Sequence, residues 1–190
     1  MPEAIDLLTS RRSVKPIELN GPGPTADELA TLLTVASRVP DHGKLTPWRF
    51  IVFEGDARFK AGDTIAAVFR DKRPDATPDQ VEHERRRLAR APLVIAVVSR
   101  AGPHVKIPEW EQVLSAGAAA TSLVFAAHAL GFAASWLTEW YSYDRRVLDA
   151  LGVAPNEKIA GFVHIGRQAK AIEDRPRPPL DQIVTRFGAN

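Results

Sequence analysis

The sequence predicts an α+β fold, a central β-sheet flanked by helices, on three observations. Leu93-Val94-Ile95-Ala96-Val97-Val98 is a short β-branched run closed by Pro92 and Ser99, the pattern of a strand buried on both faces. Glu109 to Leu130 carries the longest helical pattern and stops at Gly131, a residue suited to a left-handed cap. Strand-like and helix-like segments alternate around these two, so helices must cover both faces of one sheet.

Taken in order, Ala4 to Ser10 is a short helix candidate that ends at the pair Arg11-Arg12. Thr25-Ala26-Asp27-Glu28 reads as a capping box, with the Thr25 hydroxyl accepting the Glu28 N–H and the Glu28 carboxylate reaching back. Leu29, Leu32, Leu33 and Ala36 then repeat at helical steps until Pro40. Trp48 to Phe53 reads as a strand, Ala57 to Arg70 as a helix and residues 79–90 as a charged helix. Within the long helix, Ser115 to Ser122 is nearly all small, so another backbone can approach closely. Ala133 to Leu137 is a strand, Asp144 to Leu151 a helix closed by Gly152, and Lys158 to Ile165 a strand. The tail after Arg167 is proline-rich and extended; its apolar Ile183, Val184 and Phe187 need burial, and a partner subunit is one place for it.

Composition narrows the chemistry. The 190 residues, 45% of them hydrophobic, suit a single domain spanning 1–190. The chain has no cysteine, which excludes disulfides, thiolate zinc sites, iron–sulfur clusters and thiol redox chemistry, so electrons would need a bound cofactor. No secretion signal is recognisable at the start, and no uninterrupted apolar stretch reaches the ~18 residues of a membrane span, so a cytoplasmic location and no membrane partner are expected. A formal net charge of +2 does not call for nucleic acid. Arg85, Arg86, Arg87 and Arg90 form the densest basic cluster, but Glu82 and Glu84 interleave it and no aromatic stacking face accompanies it. It reads as a solvated helix, with steering of an anionic dinucleotide as the other possibility. His42, His83, His104, His128 and His164 show no ligand spacing, and no metal site is expected.

Four segments carry candidate chemistry. Arg11-Arg12-Ser13 offers two guanidinium forks and a hydroxyl, donors that suit a phosphate and a sugar hydroxyl; two solvated arginines at a helix end would look the same. Pro40-Asp41-His42-Gly43-Lys44-Leu45-Thr46-Pro47-Trp48 packs polar groups into a turn between a helix and a strand. It is either a functional loop or a turn in which Asp41 caps and His42 is exposed. Gly131-Phe132-Ala133-Ala134-Ser135-Trp136-Leu137-Thr138-Glu139 is a strand with an exposed end, and Arg175-Pro176-Arg177-Pro178-Pro179-Leu180 is a basic turn of the tail. Trp110, at a helix start, is either a packing anchor or a surface on which a flat ring stacks.

These segments, in this order, resemble the nitroreductase superfamily over Ile5 to Phe187, and its compact bacterial branch most closely. The resemblance implies a nitroreductase-like α+β fold with a central mixed β-sheet and a C-terminal tail exchanged in a homodimer. It implies FMN at the subunit interface and NAD(P)H as co-substrate. Arg11, Arg12 and Ser13 would hold the phosphate and ribityl chain, Arg177 would reach the phosphate with Arg167 as competitor, and Trp136, Leu137 and Thr138 would run beneath the ring. His42 and Thr46 would come from the other subunit; Thr46 stands where relatives more often have Gln. Hydride would pass from NADH or NADPH to a small electron-poor acceptor such as a nitroaromatic or a quinone by ping-pong exchange, in a site that needs no acid or base of its own. A flavin-storing or sensing dimer without turnover is the alternative.

Overall fold

The computed structural model describes residues 3–188. Its organising element is β3 (Leu93–Ser99), buried along its whole length. β3 pairs antiparallel on one side with β2 (Trp48–Glu54), from Trp48↔Ser99 to Glu54↔Leu93. On the other side it pairs antiparallel with β5 (Lys158–Gln168), whose outer edge takes β4 (Ala133–Leu137), again antiparallel. β3 and β4 therefore run in the same direction with β5 between them, and α5 (Glu109–Ala129) makes the crossover. A two-residue strand, β1 (Leu19–Asn20), pairs with the end of β5. The expected mixed sheet is corrected: among the described residues every strand pair is antiparallel, and the parallel component is an isolated bridge between Ser13 and Ala134. The reason is topological, because β5 returns between the two strands that a crossover would otherwise place side by side.

Alternation along β3 sorts the core into two layers. Ile95 and Val97 face α2 (Ala26–Ala36) and α5, where they meet Leu32, Ala119 and Leu123. Val94, Ala96 and Val98 face α3 (Ala57–Lys72) and α6 (Arg145–Ala150), where they meet Ile65, Val147 and Leu148. Each buried valine, leucine or isoleucine here contributes roughly 1.5–3 kcal/mol by leaving water, and each alanine less. The small residues Ala116, Ala119, Ala120 and Ala127 form the buried face of α5, so this helix lies close on the sheet. By length and composition alone α5 could cross a membrane; here its buried face is core.

The expected capping box is present, with Glu28 N–H donating to Thr25 Oγ1 at 3.3 Å and Thr25 N–H to Glu28 Oε2 at 2.8 Å. Gly131 and Gly152 take φ of 78° and 76° at the ends they were expected to close. The 79–90 segment is corrected. It divides into α4 (Pro78–Arg85) and a 3-10 turn, Arg87–Arg90, and the break turns two arginines inward. Arg87 binds Glu84 at 2.5 Å and Glu139 at 2.8 Å, and Arg90 binds Glu139 at 2.6 Å. Trp140 Nε1–H and Tyr141 O–H donate to Glu84 and Glu139. Burial opposes ionisation of both carboxyls, but these donors and cations outweigh it and hold them below the usual range.

His164, on β5, is fully buried with neither ring nitrogen bonded, and burial pushes its imidazole down to about 3. Between an ordinary value of 6.5 and about 3, the unfolded chain binds a proton there that the folded chain refuses. Stability is therefore complete above that window and falls as pH drops through it. The Glu157 carboxyl, held by Arg49 down to about 2, adds a second loss, but only below its ordinary 4.5. Between pH 7 and 5 the loss comes from buried histidines: His164 and, with the same sign, His128, whose imidazole burial and then the Arg11 charge lower from 6.5 to about 4. The urea midpoint is expected to fall over that interval, and His164→Leu to reduce the fall while leaving the part due to His128; a flat wild-type midpoint would contradict this account.

Candidate functional site

The N-terminal segment after α1 (Ala4–Ser10) is extended and alternates, with Ser13 and Lys15 exposed while Val14 and Pro16 are buried. Val14 is fixed by its N–H, which donates to the Ala134 carbonyl at 3.2 Å, so Ser13 is held against β4. Arg12 binds the Glu173 carbonyl and lies 3.4 Å from Asp174, whose carboxylate also takes Arg177 at 3.3 Å. Burial, then the charges of Arg177, Arg12 and Arg175, lower the Arg11 guanidinium from its ordinary value. Four arginines thus converge with one carboxylate among them, an excess of fixed positive charge and planar donor forks suited to a phosphate dianion.

A cleft of about 660 Å³ opens beside this cluster, with Arg12, Ser13, Lys15, Asn20, Gln168 and Lys170 on its walls. Lys15 and Lys170 did not stand out in the sequence. The signal for Lys15 was available, since an extended segment places residues two apart on one side and so puts Lys15 beside Ser13. Arg167 points elsewhere: its guanidinium lies 4.1 Å over the Phe132 ring and donates to the Gly131 carbonyl at 3.0 Å. Of the two competing arginines, Arg177 is the one in the cluster. Trp136 is partly exposed, its ring lies over Gly161 and its Nε1–H donates to the Ala160 carbonyl at 3.0 Å. Leu137 and Thr138 follow at the open end of β4.

The second group of candidates lies at the other end of α5. Asp41 caps the 40–48 loop, accepting the Leu45 and Thr46 N–H groups at 3.0 and 2.9 Å. Ser115 of α5 donates to the Pro40 carbonyl at 2.7 Å and accepts Trp48 Nε1–H at 3.1 Å. His42 Nδ1 lies 2.7 Å from Glu111 Oε2 in the first turn of α5. Trp110, beside Glu111, is largely exposed. Arg11, by contrast, sits near His128 in the last turn: burial and then the Arg11 charge lower the His128 imidazole to about 4. From Glu111 to His128 the helix rises about 25 Å. Within one chain, His42 and Thr46 are therefore separated from Arg11, Arg12, Ser13 and Arg177. Among the described residues no group of histidines and carboxylates could hold a metal ion.

The model of the nitroreductase family matches residues 8–167, a stretch that holds both groups except the tail residues Asp174, Arg175 and Arg177. The chain belongs to the nitroreductase family. This nitroreductase-family chain is 35% identical over 188 residues to YdjA of Escherichia coli (strain K12), which carries the provisional name NAD(P)H nitroreductase; the match covers 97% of this chain and 100% of YdjA. A nitroreductase-like protein of Bacillus cereus superposes with a TM-score of 0.82 at 22% identity, covering 100% of this chain and 98% of that one. A protein of Desulfovibrio desulfuricans, provisionally named a nitroreductase and crystallised with FMN, superposes at 0.75 with 21% identity, covering 100% and 99%.

Gly43 tests the rigidity of the loop. It has φ 73°, and a methyl group there would stand 2.3 Å from Ile107 Cδ1. Gly43→Ala is expected to cost about 1–3 kcal/mol in denaturant unfolding. Adding Ile107→Val, which removes the clashing methyl, should recover part of that loss but not the backbone strain.

Proposed function

We propose that this chain is an FMN-dependent oxidoreductase that works as a homodimer, takes hydride from NADH or NADPH and reduces small electron-poor acceptors. The observation that carries the reading is the placement of the two candidate groups at opposite ends of α5. A two-fold pairing with the α5 helices antiparallel would bring the His42 loop of one subunit to the arginine cluster of the other, twice over. The outward face of α5 suits such a contact: Trp110, Val113 and Leu114 lead into Gly117 and Ala118, and a methyl group added at Gly117 meets nothing within 4 Å. The exposed Leu180, Ile183, Val184 and Phe187 of the tail give a second subunit further apolar surface to cover.

The cluster fits the cofactor. Arg11, Arg12 and Arg177 would hold the phosphate, Ser13 the ribityl chain, and Lys15, on the same side of the segment, a positive charge along the cleft. Trp136, Leu137 and Thr138 would line the ring from β4, with His42 and Thr46 arriving from the partner. When bound, FMN supplies a ring that accepts hydride and hands it on, so the nucleotide and the acceptor use one open face in turn. The names carried by YdjA and by the FMN-bound Desulfovibrio protein support this reading, and nitroaromatics and quinones are acceptors of suitable shape and electron demand.

Purified protein, or protein given FMN, is expected to be yellow and to bleach with NADH or NADPH under anaerobic conditions; protein that takes up no FMN would falsify the proposal. Uptake without acceptor-stimulated NAD(P)H oxidation would instead mark a flavin-holding protein. Arg11→Ala should weaken FMN binding roughly tenfold or more, the worth of one charge-assisted contact, while Arg70→Ala, on exposed α3 surface, should not. Gly117→Leu is expected to yield a folded monomer with reduced FMN uptake, read by sedimentation and absorbance; wild-type protein sedimenting as a monomer at micromolar concentration would count against the shared site.

A further inference from the structure

His42 is held from one side only. Its Nδ1 meets the Glu111 carboxylate, and Nε2 has no hydrogen-bond partner among the described residues. The backbone on which it stands is fixed to α5 by Ser115 and closed by Asp41, and Gly43 is packed against Ile107. A carboxylate can only accept, so the ring hydrogen is on Nδ1. Neutral His42 then presents a lone pair at Nε2, and protonated His42 presents an N–H there, always in the same direction. Both side chains are exposed, at 63% and 46%, and an exposed pair adds only ~0–1 kcal/mol to folding. What the contact does fix is tautomer and aim.

We infer that Glu111 is a positioning residue for His42, and that His42 Nε2 is the atom through which a proton reaches the acceptor. This rests on the proposed function, which places His42 beside the partner's arginine cluster. The reduction needs such a proton. The dihydronicotinamide is oxidised and gives up hydride, two electrons with one hydrogen; a quinone that receives it is left as the hydroquinone monoanion, one proton short. Nε2–H supplies that proton to the oxyanion, and the imidazole regains one from water. With a nitro group, hydride and proton together release one oxygen as water and leave the nitroso compound. The Glu111 carboxylate, by accepting from Nδ1–H, keeps Nε2 as the atom turned to the acceptor.

Two measurements on the full chain test this. Nitrogen-15 NMR of the His42 ring, on FMN-free protein, is expected to show hydrogen on Nδ1 in wild type and a redistribution toward Nε2 in Glu111→Ala. Steady-state rates are then compared between a quinone, which needs the proton, and ferricyanide, which takes electrons without one. The quinone-to-ferricyanide ratio of kcat should fall about tenfold or more in His42→Gln and Glu111→Ala. The double variant should fall no further, and Glu111→Gln, whose amide oxygen can still accept from Nδ1–H, should restore part of the ratio. FMN uptake with an unaltered ratio, or identical ring signals in wild type and Glu111→Ala, overturns this inference alone; a wild-type chain that takes up no FMN overturns the proposed function with it.

Discussion

The chemistry of this molecule is organised by one rigid spacer, the 21-residue helix α5. Its buried stripe of alanines lies on the sheet, its first turn holds the His42 loop through Ser115 and Glu111, and its last turn stands beside Arg11. A helix cannot shorten, so the distance between these groups is set by residue count rather than by loop conformation. Side-chain rearrangement within one subunit cannot unite them, whereas a symmetry operation can.

The sequence revealed the fold wherever the signal was local. The β-branched run of β3, the Thr25–Glu28 box and the terminating glycines each act over a few residues, and each element formed where its pattern lay. β5 runs past Ile165 to Gln168 because Leu19 and Asn20 pair with its end, a contact made far along the chain. The charged 79–90 segment was misread for the same reason: what bends it is Glu139, some fifty residues later, and no helical periodicity encodes that partner. The candidate site divides in a similar way. Arg11, Arg12 and Ser13 stood out as candidates because their residue types suit one ligand chemistry, and Arg177 through the family resemblance, but Asp174, which ties Arg12 to Arg177, appears only in three dimensions. Lys15 could have been found by alternation, and Glu111 only through its contact with His42.

Arginines in this chain do three different kinds of work, and their partners decide which. Arg87 and Arg90 face carboxylates inside the molecule, where removing one side would strand the other charge in a dry setting. Arg167 spends its planar face on Phe132. Arg11, Arg12, Arg175 and Arg177 face mostly each other, which is unfavourable unless something anionic is shared among them. Counting basic residues along the sequence picks out the first set as the conspicuous cluster, whereas the geometry gives the last set the features of a binding surface.

The tail has a pivot. Ile172 packs with Val14, Leu19 and Ala133, and Arg12 grips Glu173 and Asp174, so the chain stays moored to its own subunit as far as this point. In the proposed homodimer residues 178–188 are the described stretch that would reach the partner, and fully extended they span roughly 36–40 Å. Since that stretch contributes nothing to either core layer, a protomer can complete its folding before it meets another. In the proposed homodimer, association would amount to two finished bodies laying their arms across one another, and partners could be traded without any strand leaving its sheet.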